Sequence, residues 1–175
     1  MRYTTLTLAI AGLILTSGCS SLVSLQPFVT AEQSTFDERL VGIWSDVDRE
    51  STYLIKRDAH RYRITAMDAS ETLRYEARLL QAGDLKILDV VRSDGDDSRL
   101  PVHFAIRVWI EGPVLRFGTL DSDWFKDEVR QSLPVQAVDG RIVITAPSAA
   151  VEALLLQIGR DARAYTEIQS LNRVQ

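Results

Sequence analysis

Few side chains in this 175-residue chain could do covalent or acid–base chemistry, and the most specific of them is Cys19. It is the only cysteine, so no disulfide can form within the chain. It follows Leu15-Thr16-Ser17-Gly18 at the end of an uncharged apolar run. A peptidase that needs small residues at its cut could expose this thiol as a new first residue, ready for acylation. The two histidines, His60 and His103, are the acid–base candidates. Asp94-Gly95-Asp96-Asp97 gathers carboxylates of the kind calcium takes, but it lacks the EF-hand spacing and its terminal glutamate, so a solvated hairpin loop is the simpler reading. Lys56-Arg57, His60, Arg61 and Arg63 bracket one turn and could hold an anion. The plainer account is a charged rim that keeps a hairpin soluble and unpaired. No Gly-x-Ser-x-Gly elbow, phosphate-binding loop or His-Glu-x-x-His pair occurs. No catalytic residue and no metal ligand is therefore assigned.

The segment ahead of Cys19 has the three parts of an export signal. Met1-Arg2-Tyr3 carries one positive charge, residues 6–15 form a ten-residue apolar stretch, and Ser17-Gly18 supply a small-residue cut. Ten apolar residues fall well short of the ~20 needed to span a bilayer. With Cys19 next in line, the pattern resembles a bacterial lipobox, with Thr16 where leucine is commonest. The resemblance implies cleavage between Gly18 and Cys19 and a diacylglyceryl and N-acyl (palmitate-type) lipid on Cys19, the only non-protein group expected. Ser20, rather than aspartate, after the cysteine resembles the sorting rule for an outer-membrane lipoprotein facing the periplasm. An ordinary secretory signal with a coincidental cysteine, or a retained anchor, is the alternative.

Residues 1–18 are thus expected as signal, 19–34 as a lipidated flexible tether, and 35–175 as a single domain. Fifteen extended residues would reach up to about 50 Å from the bilayer. Past residue 41 the hydrophobic period is two. In segment 72–80, Leu73, Tyr75, Ala77 and Leu79 share one face. In segment 102–111, Val102, Phe104, Ile106, Val108 and Ile110 do, with His103, Arg107 and Glu111 opposite. Such alternation marks antiparallel strands with one buried and one wet face. Shorter strands are predicted at 43–45, 52–56, 61–67, 85–91, 114–120 and 141–145, with turn residues between them. Two helices are predicted. One, near 121–131, opens on Asp121-Ser122-Asp123, good capping chemistry, and carries Trp124-Phe125. The other, near 147–165, has Pro147 in its first turn, Ser148 as a cap, and a stripe of Val151, Leu154, Leu155, Ile158 and Ala162. The fold class is mainly β, an up-and-down antiparallel barrel or strongly curled sheet with a C-terminal helix. A two-sheet sandwich is the alternative.

Gly42-Ile43-Trp44, at the start of the first predicted strand and just after a short helical turn, resembles the Gly-x-Trp signature of lipocalins and related calycin barrels. That resemblance implies that Gly42 and Trp44 lie at the closed end of a barrel, with Trp44 under a basic side chain from a late strand; Arg107, Arg116 and Arg141 are the candidates. Tyr75-Glu76-Ala77-Arg78-Leu79, Leu100-Pro101-Val102-His103-Phe104 and Thr145-Ala146-Pro147 further resemble bacterial lipoproteins that combine a lipocalin-like sheet with a C-terminal helix. The Thr-Asp-Tyr stretch usual in lipocalins is not evident. Tyr53, Tyr62, Tyr75 and Phe104 are the candidate ligand-lining residues of such a barrel.

The charge balance narrows the partners. The chain has 20 basic and 24 acidic residues, a net −4, and losing Arg2 with the signal takes it to −5. A mildly acidic domain is a poor partner for nucleic acid. Three functions stand open. A non-enzymatic accessory or interaction module of the envelope would take an envelope protein as partner. A lipocalin-like carrier would take a small apolar or amphipathic ligand. An envelope hydrolase would need a carboxylate pair, which requires no local motif.

Overall fold

The alternating segments close on themselves. The computed structural model describes residues 22–95, 100–121, 123, 131–138 and 141–174. Its strands are β1 Leu22–Ser24, β2 Gly42–Ser45, β3 Thr52–Asp58, β4 Arg61–Met67, β5 Thr72–Ala82, β6 Leu85–Arg92, β7 His103–Glu111, β8 Val114–Leu120, β9 Val135–Val138, β10 Arg141–Ile144 and β11 Tyr165–Arg173. One helix, α1, spans Ser148–Ile158. Strands β2 to β8 pair antiparallel in sequence order, β6 pairs β7, and β11 bridges β8 to β2, which closes an eight-stranded barrel. The architecture is mainly β and compatible with a lipocalin-like fold.

Register explains what fills it. Cross-strand partners share a face, so Trp44, Tyr53, Ala66 and Leu73 form one inward row and Ile55, Ile64 and Tyr75 the next. Leu79, Leu88 and Ile106 continue the interior farther round. These side chains meet as one buried cluster with Tyr62, Val108, Phe117 and Leu171. The faces expected to be buried in segments 72–80 and 102–111 are the inward ones.

The outer faces are not uniformly wet. Leu80, Leu85, Ile87 and Ala105 point outward and are buried in a second cluster with Leu154, Leu155 and Ile144. This explains β6, whose first six residues are all buried. A strand covered on both sides has no polar face to alternate with. The cover comes from α1, from the N-terminal segment, and from a small flap in which β1 runs parallel to β10, itself paired with β9. The flap joins the barrel where a strand edge falls free. β8 pairs β7 only from Ile106 to Glu111, and Ser24 takes the place beside His103.

Several expectations are corrected here. The tether read over 19–34 is folded from Leu22 onward, with Leu22, Val23, Phe28 and Val29 buried. Its apolar residues are too few and too irregularly spaced to show a period, because they are covered from several sides at once. The C-terminal helix ends at Ile158 rather than 165, and the chain then returns as β11 to complete the barrel. Pro147 is the N-cap and no side chain caps α1, so Ser148 does not play the capping part expected of it. The predicted helix near 121–131, with Trp124 and Phe125, lies mostly outside the described residues; at its start the Asp123 N–H does donate to the Asp121 carboxylate, 2.9 Å.

Phe28 is fully buried in a segment that the sequence presents as a linker. Phe28→Ala is expected to lower the unfolding free energy by about 3–5 kcal/mol, read from the urea midpoint. An unchanged midpoint would mean that residues 22–29 are not part of the cooperative unit.

Candidate functional site

Trp44 stands on β2, just after the short helical turn Glu38–Leu40, within the inward cluster. Its indole N–H donates to the Leu40 carbonyl, 2.9 Å, and the ring is wholly buried. Over the ring, 4.3 Å from its centroid, lies the guanidinium of Arg173, from the last residue of β11. Arg173 also donates to the carbonyls of Val41, 2.9 Å, and Arg39, 2.6 Å. Gly42 has φ +149°, and a Cβ there would stand 2.6 Å from Arg173 Nη1. The backbone conformation thus favours glycine, and any side chain there would push the guanidinium from its place.

The basic side chain over Trp44 is therefore Arg173, and the three expected candidates lie elsewhere. Arg107 faces outward from β7, nearly buried between Trp109 and Tyr165, and donates to the Gly159 carbonyl at the end of α1, 2.6 Å. Arg116 lies on the outer face near Trp109 and pairs with Glu111. Arg141 is exposed at the start of β10. Arg173 was hidden because β11 has no clean alternation. A shift in register between Thr166 and Gln169 breaks the two-residue period.

Beneath Trp44, residues 35–41 cross the barrel floor. Tyr62 stacks on Phe36, with centroids 4.9 Å apart, and Arg57 lies over the Phe36 ring. The Tyr62 hydroxyl accepts from the Asp37 N–H, 2.7 Å. Asp37 is clamped by Arg39 and faced by Lys86 at 3.6 Å. The Arg39 hydrogen bonds hold its carboxyl below the ordinary aspartate value, and Lys86 adds to that. Of the candidate lining residues, Tyr62 is thus part of the floor. Tyr53, Tyr75 and Phe104 do share the inward face, with Tyr53 edge-on to Phe117.

A second grouping sits on the outer wall. His103 Nδ1 lies 2.8 Å from Asp89 Oδ1, and the Val29 N–H donates to the other carboxylate oxygen, 3.4 Å. Arg61, Glu76, Arg78, Val91 and this pair line a hollow of about 20 Å³, room for one water molecule. A carboxylate that orients an imidazole is one half of a hydrolytic centre, but among the described residues no hydroxyl is hydrogen-bonded to His103. Asp89 and His103 instead hold the N-terminal segment and β1 against the barrel. No group of three or more His, Cys, Asp or Glu that could hold a metal occurs among the described residues.

The charged loops are spoken for locally. Arg61 pairs with Glu76, and Arg63 with Asp58, while the Ser34 hydroxyl donates to the His60 carbonyl. This matches a charged rim rather than an open anion site. The Asp94 carboxylate accepts from the Arg74 N–H and from Arg92, so it closes its own loop. Asp96, Asp97, Gly18 and Cys19 lie outside the described residues.

Burial holds Tyr62, Tyr75 and Tyr165 protonated up to about 12, and pushes Tyr53 higher still. A raised folded-state pKa adds stability that is complete below the unfolded value of about 10 and is lost as pH climbs through the folded one. A chain lacking residues 1–18, and with them Tyr3, is expected to show almost no tyrosinate absorption until pH nears 12, when it rises together with unfolding. Titration of these tyrosines near 10 in the folded protein would contradict the packing described. No protein-family model matches the chain, and neither a curated protein nor a solved structure is similar to it.

Proposed function

We propose that this chain is a bacterial envelope lipoprotein, cleaved after Gly18 and lipidated on Cys19, whose barrel serves as a non-enzymatic accessory or interaction module at the outer membrane, facing the periplasm. The carrying observation is Leu15-Thr16-Ser17-Gly18-Cys19 behind a ten-residue apolar run, in a chain with no other cysteine. The fold is in keeping with it. β1 begins at Leu22, so removing residues 1–18 takes nothing from the described domain. The relation to lipocalin-like proteins belongs to the same proposal. It rests on Gly42 and Trp44 at the closed end, with Arg173 across them.

The module is favoured over the carrier by what occupies the barrel. Inward side chains from β2 to β8 and β11 contact one another as a single buried cluster, including Trp44, Tyr62, Tyr75 and Phe117. Small barrels are either filled by side chains or hold one small ligand, and the inward cluster among the described residues supports the first arrangement.

Expression with the native signal tests the address. The wild-type chain is expected in the membrane fraction, with a mature N-terminus at Cys19 and the added mass of a diacylglyceryl and an acyl group. Cys19→Ser is expected to lose that mass and be released from lipid-mediated attachment. A mature wild-type protein with a free Cys19 thiol, or with an N-terminus elsewhere, would contradict the proposal.

A further inference from the structure

The spacing between the lipid-bearing residue and the first strand fixes which side of the domain can face the membrane. Cys19 and Leu22 are three Cα steps apart, at most about 11 Å. That is only a few ångströms more than one headgroup layer, which adds about 5–8 Å to either side of the ~30 Å hydrocarbon core. Leu22 has no freedom to widen the gap. It is buried and pairs with Ile142 in the parallel β1–β10 ladder. One position upstream in β10 is Arg141, whose partner across the ladder is Val138 at the end of β9.

We infer that the anchored protein lies against its bilayer through this end of the β1–β10–β9 flap, with Val138 and Arg141 at the lipid headgroups. This rests on the lipoprotein reading above, and it specifies the surface that reading leaves open. The chemistry of the flap suits a phospholipid surface. Val138 is 47% exposed, a large apolar side chain presented outward. Arg141 is exposed and, among the described residues, no carboxylate pairs with it. An arginine can lay its stem on apolar surface and its guanidinium on a phosphate. β9, Val135-Gln136-Ala137-Val138, carries no acidic residue, and a single one, Asp139, stands between it and Arg141 in the sequence. The wall farthest round the barrel from β7, where the flap joins, is β3, four strands away in either direction. That wall faces away from the lipid and is left open to a partner.

The single cysteine makes the test clean, because an acylated Cys19 leaves any introduced thiol as the only one to label. Val138→Cys and, on the outer face of β3, Lys56→Cys each receive a nitroxide in full-length lipidated protein. Acylation is checked by mass and folding by the thermal midpoint. In vesicles of phosphatidylethanolamine and phosphatidylglycerol, the ratio of collisions with lipid-soluble oxygen to those with a water-soluble nickel chelate is measured. The ratio is expected to be several-fold higher at 138 than at 56. A flexible Gly-Ser insertion of roughly ten residues between Ser21 and Leu22 should bring the two together, since it frees the domain from the surface. Equal ratios on protein whose mass shows an acylated Cys19 would overturn this orientation and leave the lipoprotein reading standing. A several-fold excess at 138 that survives the insertion would overturn the tethering argument. A mass without the lipid would remove the lipoprotein reading and this inference with it.

Discussion

A closed barrel is only as sound as its weakest seam, and here that seam lies between β2 and β11. Two ladder pairs join them, Asn172 to Ser45 and Arg173 to Trp44, with one further backbone bond from the Val174 N–H to the Ile43 carbonyl, 2.8 Å, whereas β5 and β6 share eight pairs. So short a ladder offers few backbone hydrogen bonds, which leaves room for side chains to add to it. What secures it is the contact of Arg173 with the Trp44 ring and with the carbonyls of Arg39 and Val41. One side chain at the end of β11 thereby ties down β2 and the turn that precedes it. If it let go, β2 and β11 would each become an unpaired edge. The inward rows would then lose the continuity that keeps Tyr62, Phe117 and Leu171 dry.

Closing the barrel creates a second problem, which the rest of the chain solves. Leu80, Leu85 and Ile87 face outward near the β5–β6 turn and need cover. α1 supplies part of it, and its C-terminal end is held by Arg107 and by the Tyr165 hydroxyl, both donating to the Gly159 carbonyl. A cation at a helix C-terminus also suits the helix dipole. The N-terminal segment, through Phe28 and Val29 and held by the Asp89 carboxylate, and the β1–β10–β9 flap supply the rest. The most noticeable acid–base pair in the chain, Asp89 with His103, is thus a fastening between the barrel and its cover. The hydrogen-bonding groups that sequence motifs would offer to chemistry are largely committed to architecture.

The fold was legible wherever strands are wet on one face and dry on the other. Segments 72–80 and 102–111 show their inward residues directly, and the turn residues between strands mark most of the boundaries. Legibility failed where burial is two-sided or the period breaks. Leu22-Val23-Ser24 is buried at every position and so shows no alternation. β11 carries a register shift, and its one strongly inward apolar residue, Leu171, gives no repeat to find. The surroundings of Trp44 were half legible. Gly42 and Trp44 announced themselves, but their partner Arg173 lies 129 positions beyond Trp44 in a stretch with no pattern, and Arg107 was a decoy. The proposed address, by contrast, rests on a linear motif that owes nothing to the fold.

The seam is tested most directly by a double-mutant cycle between Trp44 and Arg173. Trp44→Phe shrinks the ring that faces the guanidinium, and Arg173→Met keeps the stem while removing the charge and its donors. Urea unfolding of the wild type, both single variants and the double variant is expected to give a coupling free energy of about 0.5–2 kcal/mol. Strictly additive losses would mean that the two residues stabilise the barrel independently, and that the seam is held by something other than their contact.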